Sequence, residues 1–220
     1  MTLEASDNHV STAEAFDQPP TLRPATSRPI HPLLAGRWSP RAIDANRSVD
    51  PAVVARLVEA ARWAPSSANE QPWRFVVTDD RVPDARERAR ACLNEGNAWA
   101  KAAPVLMLTV AQTVWLHNTR KPGQEHSGAR YDLGAAALSI VLQATSEGLV
   151  AHQMGGFDRD RASASFELPD GFAPVTMIAV GYPGNITQLT ERNQQREQQP
   201  RSRRELGEIA FLGQWGQGIA

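Results

Sequence analysis

The stretch from Asp132 to Glu147 constrains the fold more than any other part of the chain. Leu133, Ala136, Ala137, Ile140, Val141 and Ala144 recur at helical spacing over one broad face, and Gly148 follows as a stop. The helix is apolar nearly all round, which predicts a buried, central position. A helix buried in that way needs other elements packed on it, and 220 residues suffice for one domain with a real core.

The covering elements are legible on either side. Asp50 caps a second helix, Pro51 suits its first position, and Val53, Val54, Leu57, Val58 and Ala61 form its apolar face up to a stop at Pro65. Residues 73–78 read as a strand ended by Asp79-Asp80. The continuous apolar run 104–110 predicts a central strand covered on both faces. Residues 174–180 form another core strand, closed by Gly181-Tyr182-Pro183-Gly184. Further helices are expected over 84–102 and 159–166. Few, unevenly spaced strands alternating with helices predict an α+β fold, one mixed sheet flanked by helices, instead of a repeated βαβ ladder.

The polar segments complete the division. Residues 1–29, with prolines at 19, 20, 24 and 29, cannot bury enough surface to order themselves. They read as an arm, disordered or ordered only by a partner, ahead of a domain over 30–220. Residues 113–128 read as a long irregular loop, functional or disordered. Residues 185–199 read as a polar linker.

Net charge is -1, from 23 Lys plus Arg against 24 Asp plus Glu. That balance calls for no nucleic acid and no anionic membrane as partner. The single cysteine, Cys92, excludes an intrachain disulfide and reads as a buried, inert thiol. Neither a secretory signal nor a run of about 20 apolar residues is present, so a cytoplasmic location is expected. No G-x-G-x-x-G after a strand, no P-loop and no G-x-S-x-G elbow occurs. The five histidines show no metal-ligand spacing, so no metal is expected.

Three separated strings carry chemistry. Arg37-Trp38-Ser39-Pro40-Arg41 places two guanidinium groups around a hydroxyl, the donor set a phosphate needs. On its own it reads as a pair of solvated surface arginines. Pro65-Ser66-Ser67-Ala68-Asn69-Glu70-Gln71-Pro72-Trp73 is a proline-stiffened turn whose Asn69 and Gln71 amides suit the edge of a planar heterocycle. Alone, it reads as an ordinary polar connection. Met154-Gly155-Gly156-Phe157 lets backbone come close to a ligand, or simply makes a tight turn.

Together, and with a late Arg-x-Arg at Arg201 and Arg203, the ordered strings resemble the nitroreductase family of flavoproteins from about His31 to Trp215. The resemblance implies an intertwined α+β homodimer with FMN at the subunit interface. It gives Arg37, Trp38, Ser39 and Arg41 to the FMN phosphate and ribityl chain, and Asn69 and Gln71 to the flavin ring. Pro65, Ser66 and Ser67 of the partner subunit line the site. Met154, Gly155 and Gly156 bring backbone to flavin N5, and Arg201 and Arg203 close on the phosphate. The chain departs from many members at Glu205, where they have proline, and from some at Gly155, where they have glutamate.

The activity so implied is hydride transfer from NAD(P)H through flavin N5 to an acceptor such as a nitroaromatic or a quinone, with ping-pong kinetics. The flavin carries the chemistry, so no catalytic side chain is expected. Trp115 and His117, on the 113–128 loop, are candidates for the acceptor pocket, balanced against a plain surface loop with a partly buried Trp. Three other readings stay open: a dehalogenating or flavin-fragmenting relative, an FMN-binding or storage protein without nicotinamide turnover, and a structural dimer without flavin.

Overall fold

The computed structural model describes residue 24 and residues 26–219. Most of the expected arm, residues 1–29, therefore lies outside the described residues. The chain then runs through α1 (Pro32–Gly36), α2 (Pro51–Arg62), β1 (Trp73–Thr78), α3 (Pro83–Cys92), β2 (Val105–Gln112), α4 (Ala129–Ser146), β3 (Val150–Met154), α5 (Arg159–Ser165), β4 (Phe172–Gly181), α6 (Glu191–Glu197) and α7 (Leu206–Ile209).

The four strands form one sheet in the order β1-β2-β4-β3. The α+β class holds, but the sheet is not mixed: all three pairings are antiparallel. The reason lies in the connections. Thr78 at the end of β1 pairs with Leu106 at the start of β2. The helical excursion between them thus returns to the end of the sheet it left, and the next strand runs backwards. β2 is central, and all eight of its residues are buried. Its alternation splits the core in two. Val105 and Met107 pack with Leu57, Leu133 and Ile140 under α2 and α4, while Leu106, Leu108 and Val110 pack with Cys92, Phe157 and Met177 under α3 and α5.

α2 starts as read: the Asp50 carboxylate accepts from the Ala52 N–H at 2.7 Å, with Pro51 in the first turn. α4 begins three residues earlier than expected, so Asp132 sits inside its first turn, and Gly148 ends it with φ +72°. One side of α4 is left bare by this chain. Leu138 is 43% exposed and Tyr131 84%.

The expected helix over 84–102 is broken. Leu93 takes an extended conformation to bridge Phe157, and the remainder, Glu95–Ala102, is 3-10. β3 carried no sequence signal, because Val-Ala-His-Gln-Met does not alternate cleanly; it is held as an edge strand by pairing with β4. The expected linker 185–199 is instead folded, as a 3-10 turn over Ile186–Gln188 followed by α6. Cys92 is buried, and burial pushes its thiol above the usual range. Glu205 and Glu208 make a capping box for α7. Beyond it the tail leaves Ile209, Leu212 and Trp215 at 62%, 75% and 87% exposure.

Candidate functional site

The Arg37–Arg41 string leaves α1 in an extended course, and the late basic segment folds back onto it. Arg201 donates to the carbonyls of Ala35 at 2.8 Å and Arg37 at 2.9 Å. Arg37 in turn donates to the Ser39 hydroxyl at 3.2 Å. Arg37, Arg201 and Arg203 line one cleft of about 630 Å³ with Ile30, Leu34 and Leu206. Burial lowers the proton affinity of Arg37, and the charge of Arg203 lowers it further. Arg201 is lowered by burial and then by Arg37 and Arg203. Residues 164 positions apart are thus folded into a site of concentrated positive charge.

Arg41 is committed elsewhere. Its backbone N–H and its guanidinium both donate to Glu197 Oε1, at 3.0 and 3.2 Å. Glu197 is 4% exposed, and burial raises its pKa despite those bonds. This acid, on the segment read as a linker, anchors the second half of the arginine string.

β3 brings the glycine string alongside. His152 Nδ1 lies 3.0 Å from the Pro40 carbonyl, and its ring packs against Trp99 at a 45° tilt with centroids 4.6 Å apart. Met154 is buried, and Gly155 has open space where a Cβ would stand. At Gly156 a Cβ would lie 2.7 Å from the Asn97 amide nitrogen, which donates to the Gly156 carbonyl at 2.8 Å. The first glycine thus faces free space, and a side chain at the second would displace the Asn97 amide from its bond to the Gly156 carbonyl.

The proline-stiffened turn is tied to a different part of the chain. Ala68, Asn69 and Gln71 all have φ between 51° and 53°. Such backbone costs on the order of 1 kcal/mol or more per residue and persists only where its surroundings hold it. Five hydrogen bonds do so. The Ser67 N–H donates to Asp132 on α4 at 3.0 Å, and the Gln71 N–H to the Ser66 hydroxyl at 3.0 Å. Glu70, 2% exposed, accepts at one oxygen from Gln112 Nε2 at 2.8 Å and from the N–H groups of Leu116 and His117 at 2.7 and 2.9 Å. Asn69 and Gln71 are exposed. Within one chain, contacts therefore join the arginine and late basic strings, set His152 of β3 against Pro40 of the former, and tie the Pro65–Trp73 turn to α4 and the 113–128 loop.

The two loop candidates part company. Trp115 is turned inward, 8% exposed, with its ring 3.8 Å from that of His126. His117 stays exposed.

The sequence model of the nitroreductase family matches residues 34–182. This chain belongs to the nitroreductase family. A Burkholderia lata protein provisionally named NADH dehydrogenase/NAD(P)H nitroreductase is 30% identical over 153 residues, which cover 62% of this chain and 77% of that protein. The crystal structure of an oxidoreductase described as containing FMN superposes with a TM-score of 0.81 at 32% identity, covering 88% of this chain and 96% of the other. A nitroreductase family protein of Streptococcus pneumoniae shares the fold, with a TM-score of 0.64 at 24% identity over 82% of this chain and 98% of that one.

The nitroreductase chain offers donors of the kind FMN requires. A phosphate monoester carries about two negative charges near neutral pH. Burial and then neighbouring positive charge disfavour the charged forms of Arg37 and Arg201, and an anion bound beside them offsets both. Sequence reasoning missed Glu197, Glu70 and Asp132. Each is an acid acting through a fold-level contact, and no local spacing announces it.

His152 gives the site a pH dependence. Burial lowers its pKa from 6.5 to about 4, with Arg41 and Arg37 adding to the effect and hydrogen bonds donated by the ring to the backbone of Pro40 and Ser39 opposing it. As pH falls below about 6.5 the unfolded chain takes up this proton and the folded chain does not. Stability should therefore fall between pH 6.5 and about 4, by on the order of 3 kcal/mol in total. Urea unfolding at pH 7 and pH 5 should show a loss in the wild type that His152→Gln largely removes. An equal loss in both proteins would place the effect elsewhere.

Proposed function

We propose that this chain is an FMN-dependent oxidoreductase fed by NAD(P)H, working as a homodimer with FMN at the subunit interface. The observation that carries the reading is the convergence of Arg37, Arg201 and Arg203 on one cleft, with Ser39 held by Arg37. The words FMN and NAD(P)H in the names of the similar proteins support it.

Arg37, Arg201 and Arg203 neutralise the phosphate, and Ser39 contributes its hydroxyl. Arg41, held by Glu197, fixes the course of the string and leaves part of its guanidinium to the ribityl side. Asn69 and Gln71 pair with the polar edge of the ring system. Gly155 leaves room for the ring to approach backbone, and Pro65, Ser66 and Ser67 of the second copy line the opposite wall. Trp38 and Met154 pack beside these contacts. FMN held there would supply the redox chemistry between NAD(P)H and an acceptor such as a nitroaromatic or quinone. The bare side of α4 and the apolar tail provide surface for the second copy.

The protein purified without added cofactor should be yellow and release about one FMN per chain on denaturation. NAD(P)H should bleach it without oxygen, and a quinone should restore the colour. A protein that binds FMN but is not reduced by either nicotinamide would be a storage module. One that stays colourless in excess FMN would sink the proposal.

A further inference from the structure

The variable position inside the Asn69-x-Gln71 turn is occupied by an acid that the flavin contacts do not require. Glu70 sits between two exposed amides yet is itself 2% exposed, so its side chain runs into the protein while theirs stay outside. Its Oε1 takes three hydrogen bonds of 2.7 to 2.9 Å, two of them from consecutive backbone N–H groups at Leu116 and His117. Those N–H groups belong to the polar loop that follows β2. The third donor, Gln112, is the last residue of β2; its Nε2 also donates to the Val114 carbonyl at 3.0 Å, and its own N–H donates to the Pro72 carbonyl at 2.8 Å. Burial opposes the charge of Glu70, but the bonds from His117, Leu116 and Gln112 outweigh it and hold the carboxyl below the usual range.

The loop is also closed on itself, next to the first turn of α4. The His126 N–H donates to the Thr113 carbonyl at 2.8 Å, and the ring of His126 stacks on Trp115 beside Asp132, the acid that receives the Ser67 N–H. Glu70 thus fastens the loop to the turn through the backbone of Leu116 and His117, whose side chains stay exposed.

We propose that Glu70 is a positioning residue that latches the Leu116–His117 segment to the flavin-contacting turn, making that segment the wall against which the electron acceptor is selected. The inference rests on the FMN reading above for the word acceptor; the latch itself is a property of the polypeptide. A buried carboxylate accepting backbone N–H bonds fixes a loop by its main chain, so wall position is independent of which side chains the loop carries. Leu116 and His117 then set the chemistry of the wall, one apolar and one able to donate a hydrogen bond to a carbonyl or nitro oxygen.

Two variants and two readouts test this on the full-length protein. In Glu70→Ala, amide hydrogen exchange at Leu116 and His117 should quicken at least tenfold, while Glu70→Gln, which keeps an acceptor oxygen, should restore much of the protection. With a quinone acceptor, Glu70→Ala should raise the acceptor KM at least fivefold and move the NAD(P)H KM less than twofold. Unchanged exchange at Leu116 and His117 would overturn the latch. Equal rises in both KM values, or loss of FMN from the variant alone, would show Glu70 holding the whole site and overturn its selective role. Absence of FMN from the wild type would instead strike the functional reading, and the exchange comparison would still decide the latch.

Discussion

Arg37→Ala is expected to weaken FMN binding roughly 10- to 100-fold while leaving the flavin-free protein as stable as before, or slightly more so. Arg37, Arg201 and Arg203 share one cleft, and the first two are lowered in proton affinity by burial and by their neighbours' charge. The charge of Arg203 opposes that of Arg37, and both oppose that of Arg201, so deleting Arg37 removes one source of repulsion. With a phosphate present, the lost charge-assisted bond is worth about 1.5–3 kcal/mol, and every 1.4 kcal/mol is tenfold in affinity. The substitution spares the Arg37 carbonyl that Arg201 grips, so the backbone of the site should survive it. Fluorescence titration gives the affinity, and thermal melts with and without FMN separate the two contributions. A variant that melts lower without FMN yet binds it normally would make Arg37 a structural residue. The affinity should also fall with added salt, because the site is partly open to solvent.

Ile140→Ala is expected to have the largest effect on stability. Ile140 is fully buried in the middle of α4, in the cluster shared with Leu57 of α2 and Met107 of β2. Removing three carbons there takes away their transfer free energy and leaves a cavity that helix and sheet close only in part, for about 2–5 kcal/mol. In a domain of this size that corresponds to a fall in Tm of roughly 5–15 °C. Leu138, on the same helix, supplies the contrast. At 43% exposed, Leu138→Ala should change the stability of a lone chain by less than about 0.5 kcal/mol. If the bare side of α4 is the subunit contact, the loss should be larger and should depend on protein concentration. Urea unfolding at two concentrations distinguishes these cases, and an Ile140→Ala protein within 1 kcal/mol of wild type would contradict the packing described here.

The main elements were legible because each is specified by its own residues. Asp50-Pro51 opens α2, six apolar positions define the buried face of α4, and a continuous apolar run marks β2 as the central strand. The donor types of the site were legible for the same reason, since guanidinium, amide and glycine keep their chemistry in any fold. What the tertiary structure alone decided lies in contacts between distant residues. The strand directions follow from where the α3 excursion returns, and the helix over 84–102 breaks because Leu93 meets Phe157, 64 positions later. α6 has no apolar periodicity to announce it, and a single buried acid, Glu197, ties it to Arg41. Trp115 could face a ligand or the core until His126 settled the matter by stacking on it. Glu70 lies inside a motif that was read residue by residue, and only the fold shows it turned inward to hold a loop. Local sequence sets backbone preference and apolar pattern, which act over a few residues; the pairing of buried charges acts across the whole chain, and exists only once that chain has folded.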